Sequence, residues 1–128
     1  MLKMEKFAIL LVDDKEEFVS ALSNRLLLQG MEVHTATKGE DALAMLQEKT
    51  ADVVILDVVM PGMGGLETLR RIKETYPHIQ VIMLTGHAST KEGIEGMRLG
   101  AFDYLMKPVD IEELIAKMRA SIKAIAKE

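Results

Sequence analysis

Five residues of this chain combine reactive types with positions from which they could act together: Asp13, Asp14, Asp57, Thr85 and Lys107. Each follows a short apolar run: FAILLV before Asp13-Asp14, VVIL before Asp57, VIML before Thr85 and YLM before Lys107. Three carboxylates brought to one place repel one another, which raises a pKa or recruits a cation. An all-oxygen acidic set with no His or Cys suits a hard ion, Mg2+ above all, which keeps several waters and shares a phosphate. A lysine and a hydroxyl would complement an incoming phosphoryl group, as a point charge and as a hydrogen-bond donor. The set resembles a phosphoryl-transfer site, where positioning and charge neutralisation do most of the work.

For these residues to meet, the runs before them must be parallel strands ending on one edge of a sheet. VVIL at 53–56 is apolar without interruption and rich in β-branched residues, which predicts a strand buried on both faces. Met60-Pro61-Gly62 then breaks the chain into a loop. Phe7 to Val12 predicts another strand, Val33 to Thr35 a shorter and more exposed one, Val81 to Leu84 a buried one, and Tyr104 to Met106 the last. Between them lie helical periodicities. Phe18, Leu22 and Leu26 recur every four residues, with Gly30 just past the last. Thr37-x-x-Glu40 reads as a capping box opening a helix through Ala42, Leu43 and Leu46. Leu66, Leu69 and Ile72 mark a third helix that ends before Pro77, and a weaker helix spans residues 90 to 99. Asp110-x-x-Glu113 opens a final helix with an apolar face of Ile111, Leu114, Ile115, Met118, Ile122 and Ile125.

Strand followed by helix, five times over, predicts a single α/β domain over residues 1–128. Its expected form is a doubly wound five-stranded parallel sheet, (βα)5, in the flavodoxin-like order 2-1-3-4-5. That order brings strands one, three, four and five together, and ligands bind beyond the carboxyl ends of such strands. Neither a linker nor a low-complexity stretch is visible. The last helix keeps its amphipathic spacing through Ile125, so a continuation into another domain fits the pattern.

The composition excludes several classes of function. There is no cysteine, hence neither disulfides nor thiolate metal sites. A net charge of −4 without a basic cluster argues against nucleic acid and an anionic membrane as partners. The first six residues lack the apolar centre of a signal peptide, and nowhere do eighteen apolar residues run together, so an acidic cytoplasmic protein is expected. The three histidines have no metal-ligand spacing and read as structural or solvent-facing, His34 in an edge strand and His78 in a loop. The ten methionines read as core filling. Singly, the site residues have plainer readings too: Asp13-Asp14 as acids at a helix N-terminus, Thr85-Gly86 as a turn, Lys107-Pro108 as a loop start, Tyr104 as a half-buried core residue. Only the set outweighs them.

Four motifs carry a resemblance: LLVDD at 10–14, LDVVMPGMGGL at 56–66, LTGHAS at 84–89 and YLMKP at 104–108. In this order and spacing the chain resembles, over essentially its whole length, a response regulator receiver domain of the chemotaxis-regulator kind. The resemblance implies a two-component signalling switch, not an enzyme, in which Asp57 accepts a phosphoryl group from a phosphohistidine on a histidine kinase or phosphotransfer protein. It implies that Asp14, Asp57 and the backbone carbonyl of Val59 bind Mg2+, with Asp13 holding a metal-bound water. It further implies that Lys107 contacts one phosphoryl oxygen, that Thr85 moves to hydrogen-bond another, and that Tyr104 turns inward behind it. The face made by the fourth helix, last strand and last helix would then be read by a downstream protein or by an output domain outside this chain.

Departures from the pattern set further expectations. Gly64 stands where aspartate is common; as an N-cap, glycine is a few tenths of a kcal/mol worse, so a looser start to the third helix is expected. Gly86 leaves access to Asp57 open, while Val59 and His87 occupy positions that in this family govern how long the phosphoryl group lasts. Gly93 and Gly96 each cost about 1 kcal/mol relative to alanine inside a helix. They are expected to keep the fourth helix close to melting, so that a signal at Asp57 shifts it cheaply. Rival functions fit less well. A phosphatase using Asp57 as nucleophile would want an acid two residues on, where Val59 stands, and a cap that no insertion supplies. A degenerate scaffold receiver would lack acceptor-site residues, yet all are present. Flavin binding needs an anion-cradling loop after the first strand, where Asp13 and Asp14 oppose it.

Overall fold

The apolar β-branched runs cannot be left facing water, and in the computed structural model, which describes residues 7–86 and 90–126, they become the centre of a sheet. The strands are β1 (Ala8–Val12), β2 (Glu32–Ala36), β3 (Val53–Asp57), β4 (Gln80–Thr85) and β5 (Asp103–Met106). They alternate with α1 (Glu16–Leu28), α2 (Gly39–Glu48), α3 (Gly65–Thr75), α4 (Thr90–Arg98) and α5 (Ile111–Ala126). All pairings are parallel and the order is β2-β1-β3-β4-β5, the doubly wound order expected from the alternation. Every residue of β3 and β4 is buried, including Asp57 and Thr85, whereas the edge strand β2 is largely open.

Two apolar layers sandwich the sheet. On one side Val19, Leu22 and Leu26 of α1 join Leu114, Ile115 and Met118 of α5 over Ile9, Leu11 and Ile55. On the other, Ala42 and Leu46 of α2 join Leu69 and Ile72 of α3 over Leu10, Val54 and Met83. Each such side chain contributes about 1.5–3 kcal/mol on leaving water, so the layers fix the sheet that carries the polar strand ends.

The helix ends are partly as the sequence suggests. Gly30 takes a φ of +88°, and the Gln29 and Gly30 N–H groups close α1 on the Leu26 and Leu27 carbonyls at 3.0 Å. Asp110 caps α5, its carboxylate accepting the Glu112 N–H at 2.9 Å. The expected capping box at Thr37 does not form: the residue before α2 is Lys38, and no side chain caps it. The helix begins instead where Gly39 meets α3, for a Cβ there would lie 2.1 Å from the Thr68 hydroxyl.

The two glycines of α4 are not equivalent. Gly96 is buried, and a Cβ would fall 2.1 Å from the Met83 sulfur, so this glycine lets the helix close onto β4. At Gly93 a Cβ would make ordinary contact with the Tyr104 ring at 3.8 Å, so only there is the helix-weakening reading left without a packing reason. Core filling accounts for Met31, Met60, Met83 and Met118, but Met97 and Met106 are exposed beside Ile94 and Tyr104 on the α4–β5 face.

Candidate functional site

Register brings the polar residues together. Val12 pairs with Leu56, so the next residues, Asp13 and Asp57, lie side by side at the ends of β1 and β3. Thr85 pairs with Met106, and the Lys107 N–H donates to the Thr85 carbonyl at 2.8 Å, which starts the Lys107 side chain beside the same edge. One carboxylate oxygen from each of Asp13, Asp14 and Asp57 lies within 4.8 Å of the others. Asp13 is wholly buried, Asp57 is 3% exposed and Asp14 is half-buried.

Lys107 is the cation set among them. Its Nζ donates to Asp13 Oδ2 at 2.6 Å and stands 3.9 Å from Asp57 Oδ2. Asp13 Oδ1 also accepts the Lys15 N–H at 3.0 Å, and Asp57 Oδ1 accepts the Val59 N–H at 3.4 Å. One atom is left over: Asp14 Oδ1 is buried and has no hydrogen-bond partner among the described residues. Burial pushes the Asp57 carboxyl up to about 6 from 3.8; the Asp13 charge, and more weakly that of Asp14, adds to this, while Lys107 and the Val59 N–H pull the other way.

A buried, acceptor-only oxygen in a cluster of three carboxylates is an uncompensated cost. A hard divalent cation would remove it, and the donors are the carboxylate oxygens that Mg2+ prefers. The residues present therefore fit the expected ion.

The loop after β3 is held by glycines whose role the sequence disguised. Gly64 has φ +82° and ψ 161°, a region that side-chain-bearing residues rarely enter. It is thus required by the backbone, not a weaker substitute for an aspartate cap. No side chain caps the start of α3, where the Thr68 hydroxyl donates to the Gly64 carbonyl at 2.7 Å and the Gly65 N–H to the Val58 carbonyl at 3.1 Å. A Cβ on Gly65 would lie 2.3 Å from the Asp57 carbonyl oxygen, so this glycine lets α3 begin against the acidic strand end. The sequence signal for this close approach is the doubled glycine before Leu66.

The remaining expected residues sit around this centre. Thr85 is buried at the end of β4, and Gly86 beyond it is exposed, with open space where a Cβ would be. Val59 turns outward, 62% exposed. Tyr104 also faces outward, at 42% exposure, lining a cavity of about 230 Å³ with Gly93, Ile94 and Met97. His87 lies outside the described residues, as does the rest of LTGHAS beyond Gly86. His34 stands within 3.0 Å of Glu32 on the edge strand, and His78 lines a small cavity at the far end of the sheet. A residue not singled out from the sequence also touches the site: Phe18, in the first turn of α1, lies under the Lys107 ammonium.

Comparison with known proteins bears on this geometry. The sequence profile of the response regulator receiver domain matches residues 9–119. The uncharacterized transcriptional regulatory protein YkoG of Bacillus subtilis is 42% identical over 123 residues, 94% of this chain and 53% of that protein. The DNA-binding transcriptional regulator NtrC of Salmonella typhimurium is 37% identical over 119 residues, 93% of this chain and 25% of that protein. The chain thus spans about half or less of the curated relatives it matches. Among solved structures, a CheY-like response regulator receiver domain protein of Methanospirillum hungatei superposes with a TM-score of 0.90 at 28% identity, covering 96% of this chain and 98% of that one. A response regulator receiver domain protein of Clostridium thermocellum does so with 0.87 at 37% identity, covering 92% and 95%. Among the described residues no helix is long and apolar enough to cross a membrane.

Proposed function

The chain belongs to the family of response regulator receiver domains, signalling proteins rather than enzymes, and on that premise we propose that Asp57 is its phosphoacceptor. The observation that carries the proposal is the placing of one buried carboxylate, Asp57, beside two further carboxylates within 4.8 Å and an ammonium at 3.9 Å. A carboxylate is a known nucleophile in phosphoryl transfer. An Asp57 oxygen attacks the phosphorus of a phosphohistidine on a histidine kinase or phosphotransfer protein. The phosphorus–nitrogen bond breaks, the imidazole nitrogen keeps the electron pair, and the new phosphorus–oxygen bond leaves an acyl phosphate at position 57.

Each neighbour then has a task set by its chemistry. Asp14, Asp57 and the Val59 carbonyl would hold Mg2+, with Asp13 reaching it through water. The ion, when bound, neutralises charge on the phosphoryl oxygens. The orphaned Asp14 oxygen is the support for this assignment. Lys107 turns its donors from Asp13 toward the phosphoryl group, and the Thr85 hydroxyl donates to another of its oxygens. Val59 has no side-chain base to activate water, which suits a signal that outlasts its transfer step. Drawing Thr85 inward vacates space that Tyr104, now facing outward, would fill. That would carry the state of Asp57 to the α4–β5–α5 face, for a downstream protein or an output domain to read.

Incubating the protein with Mg2+ and a small acyl phosphate, followed by intact-mass measurement, tests the proposal. A gain of one phosphoryl group in the wild type and none in Asp57→Asn is expected. No gain in the wild type refutes it and points to a scaffold receiver.

A further inference from the structure

The phosphoacceptor reading leaves open what aims Lys107, and we propose that Phe18 is a positioning residue for phosphoryl transfer, its ring holding the Lys107 ammonium toward Asp57. The Nζ lies over the Phe18 ring, 4.3 Å from its centroid. It touches Asp13 at 2.6 Å on another side and faces Asp57 at 3.9 Å across the remaining gap. The Lys107 side chain is only 17% exposed, so the ring takes a place that water would otherwise hold around the ammonium. The face of an aromatic ring is negative and attracts a cation, more strongly where water is partly excluded. A lysine is otherwise a flexible stem carrying a freely rotating head. Asp13 and Phe18 hold it on two sides, with Asp57 facing it on a third.

The ring packs against the core layer between α1 and α5 and at the same time reaches the Lys107 ammonium. The residues that α1 buries are Val19, Leu22 and Leu26, whereas Phe18 is half-buried at the edge of that stripe. It forms a wall shared by two surface cavities of about 770 and 460 Å³, the first including Asp14 and Pro61, the second including Lys107 and Pro108. Phe18 also follows Asp14 by four residues, so one short segment supplies both the acidic pair and the ring.

The test compares wild type, Phe18→Leu and Phe18→Trp with acetyl phosphate as donor at saturating Mg2+, following phosphoryl uptake by mass against time. Phe18→Leu keeps apolar bulk without a π face, and its maximal rate is expected to fall about fivefold, while Phe18→Trp stays near wild type. A metal-free readout accompanies it: in carbon–proton NMR spectra the Lys107 ε-methylene protons are expected upfield-shifted by the ring in wild type and Phe18→Trp, and unshifted in Phe18→Leu. An equally fast Phe18→Leu, equal slowing in Leu and Trp variants, or an unshifted wild-type methylene overturns the role of Phe18 alone. A wild type that takes up no phosphoryl group overturns the phosphoacceptor reading, and this role with it.

Discussion

Replacing Asp57 with asparagine should make the metal-free protein more stable, because the site is held in a conformation its charges oppose. Raising the Asp57 carboxyl from 3.8 to about 6 means that ionising it in the folded chain costs about 3 kcal/mol more than in the unfolded one. About 2 kcal/mol remains once solvent on the open side of the site is allowed for. Asparagine keeps the shape and carries no charge, so at about pH 7.5 Asp57→Asn should gain about 2 kcal/mol. The folded pKa is the higher one, so the folded chain binds more protons between 3.8 and about 6, and wild-type stability falls as pH rises through that window. The advantage of the variant is therefore full above the upper value, roughly half at about pH 5, and gone below the lower one. Urea unfolding in the presence of a chelator, repeated across this range, measures it. Equal stability at neutral pH would refute the electrostatic reasoning. A gain that persists unchanged into acid would assign the effect to packing instead.

Other perturbations follow from the same geometry. Gly65→Ala drives a Cβ to 2.3 Å from the Asp57 carbonyl oxygen and should cost about 2–3 kcal/mol in urea unfolding; a neutral result would mean that α3 can retreat from the strand end freely. Gly93→Ala should raise helix stability by about 1 kcal/mol and slow hydrogen exchange in α4. Gly96→Ala, forced against the Met83 sulfur at 2.1 Å, should lower the melting temperature, and equal effects at the two positions would contradict the packing difference. Lys107→Met strips the wholly buried Asp13 carboxylate of its cation and should cost about 3 kcal/mol without metal, a deficit that Mg2+ narrows in denaturant titrations. No loss would show that Asp13 needs no counter-charge.

Most of the fold was legible because parallel strands buried on both faces leave uninterrupted apolar runs, and because the helices between them bury one stripe each. The candidate site was legible as a list of strand-end residues: Asp13, Asp57, Thr85 and Lys107 are each the first polar residue after such a run. What the sequence concealed depends on close approach in three dimensions. Thr37 and Glu40 have capping-box spacing, yet Gly39 pressed against Thr68 sets where α2 begins. Gly64 looked like an inferior cap, whereas its φ of +82° and ψ of 161° call for glycine. The ion pair of Lys107 with Asp13 links residues 94 apart in the chain, and the ring beneath it belongs to a residue whose spacing fits an ordinary apolar stripe. Periodicity reports which face of an element is buried, not which atoms meet there.

The central claim, that the phosphoryl group lands on Asp57 and on neither neighbouring carboxylate, is tested most directly by trapping the acyl phosphate. The protein is incubated with Mg2+ and a phosphoryl donor and then reduced with borohydride, which converts a phosphorylated aspartate to homoserine; peptide masses locate the product. The account predicts homoserine at position 57 alone. Homoserine at position 13 or 14, or none at all, would contradict it.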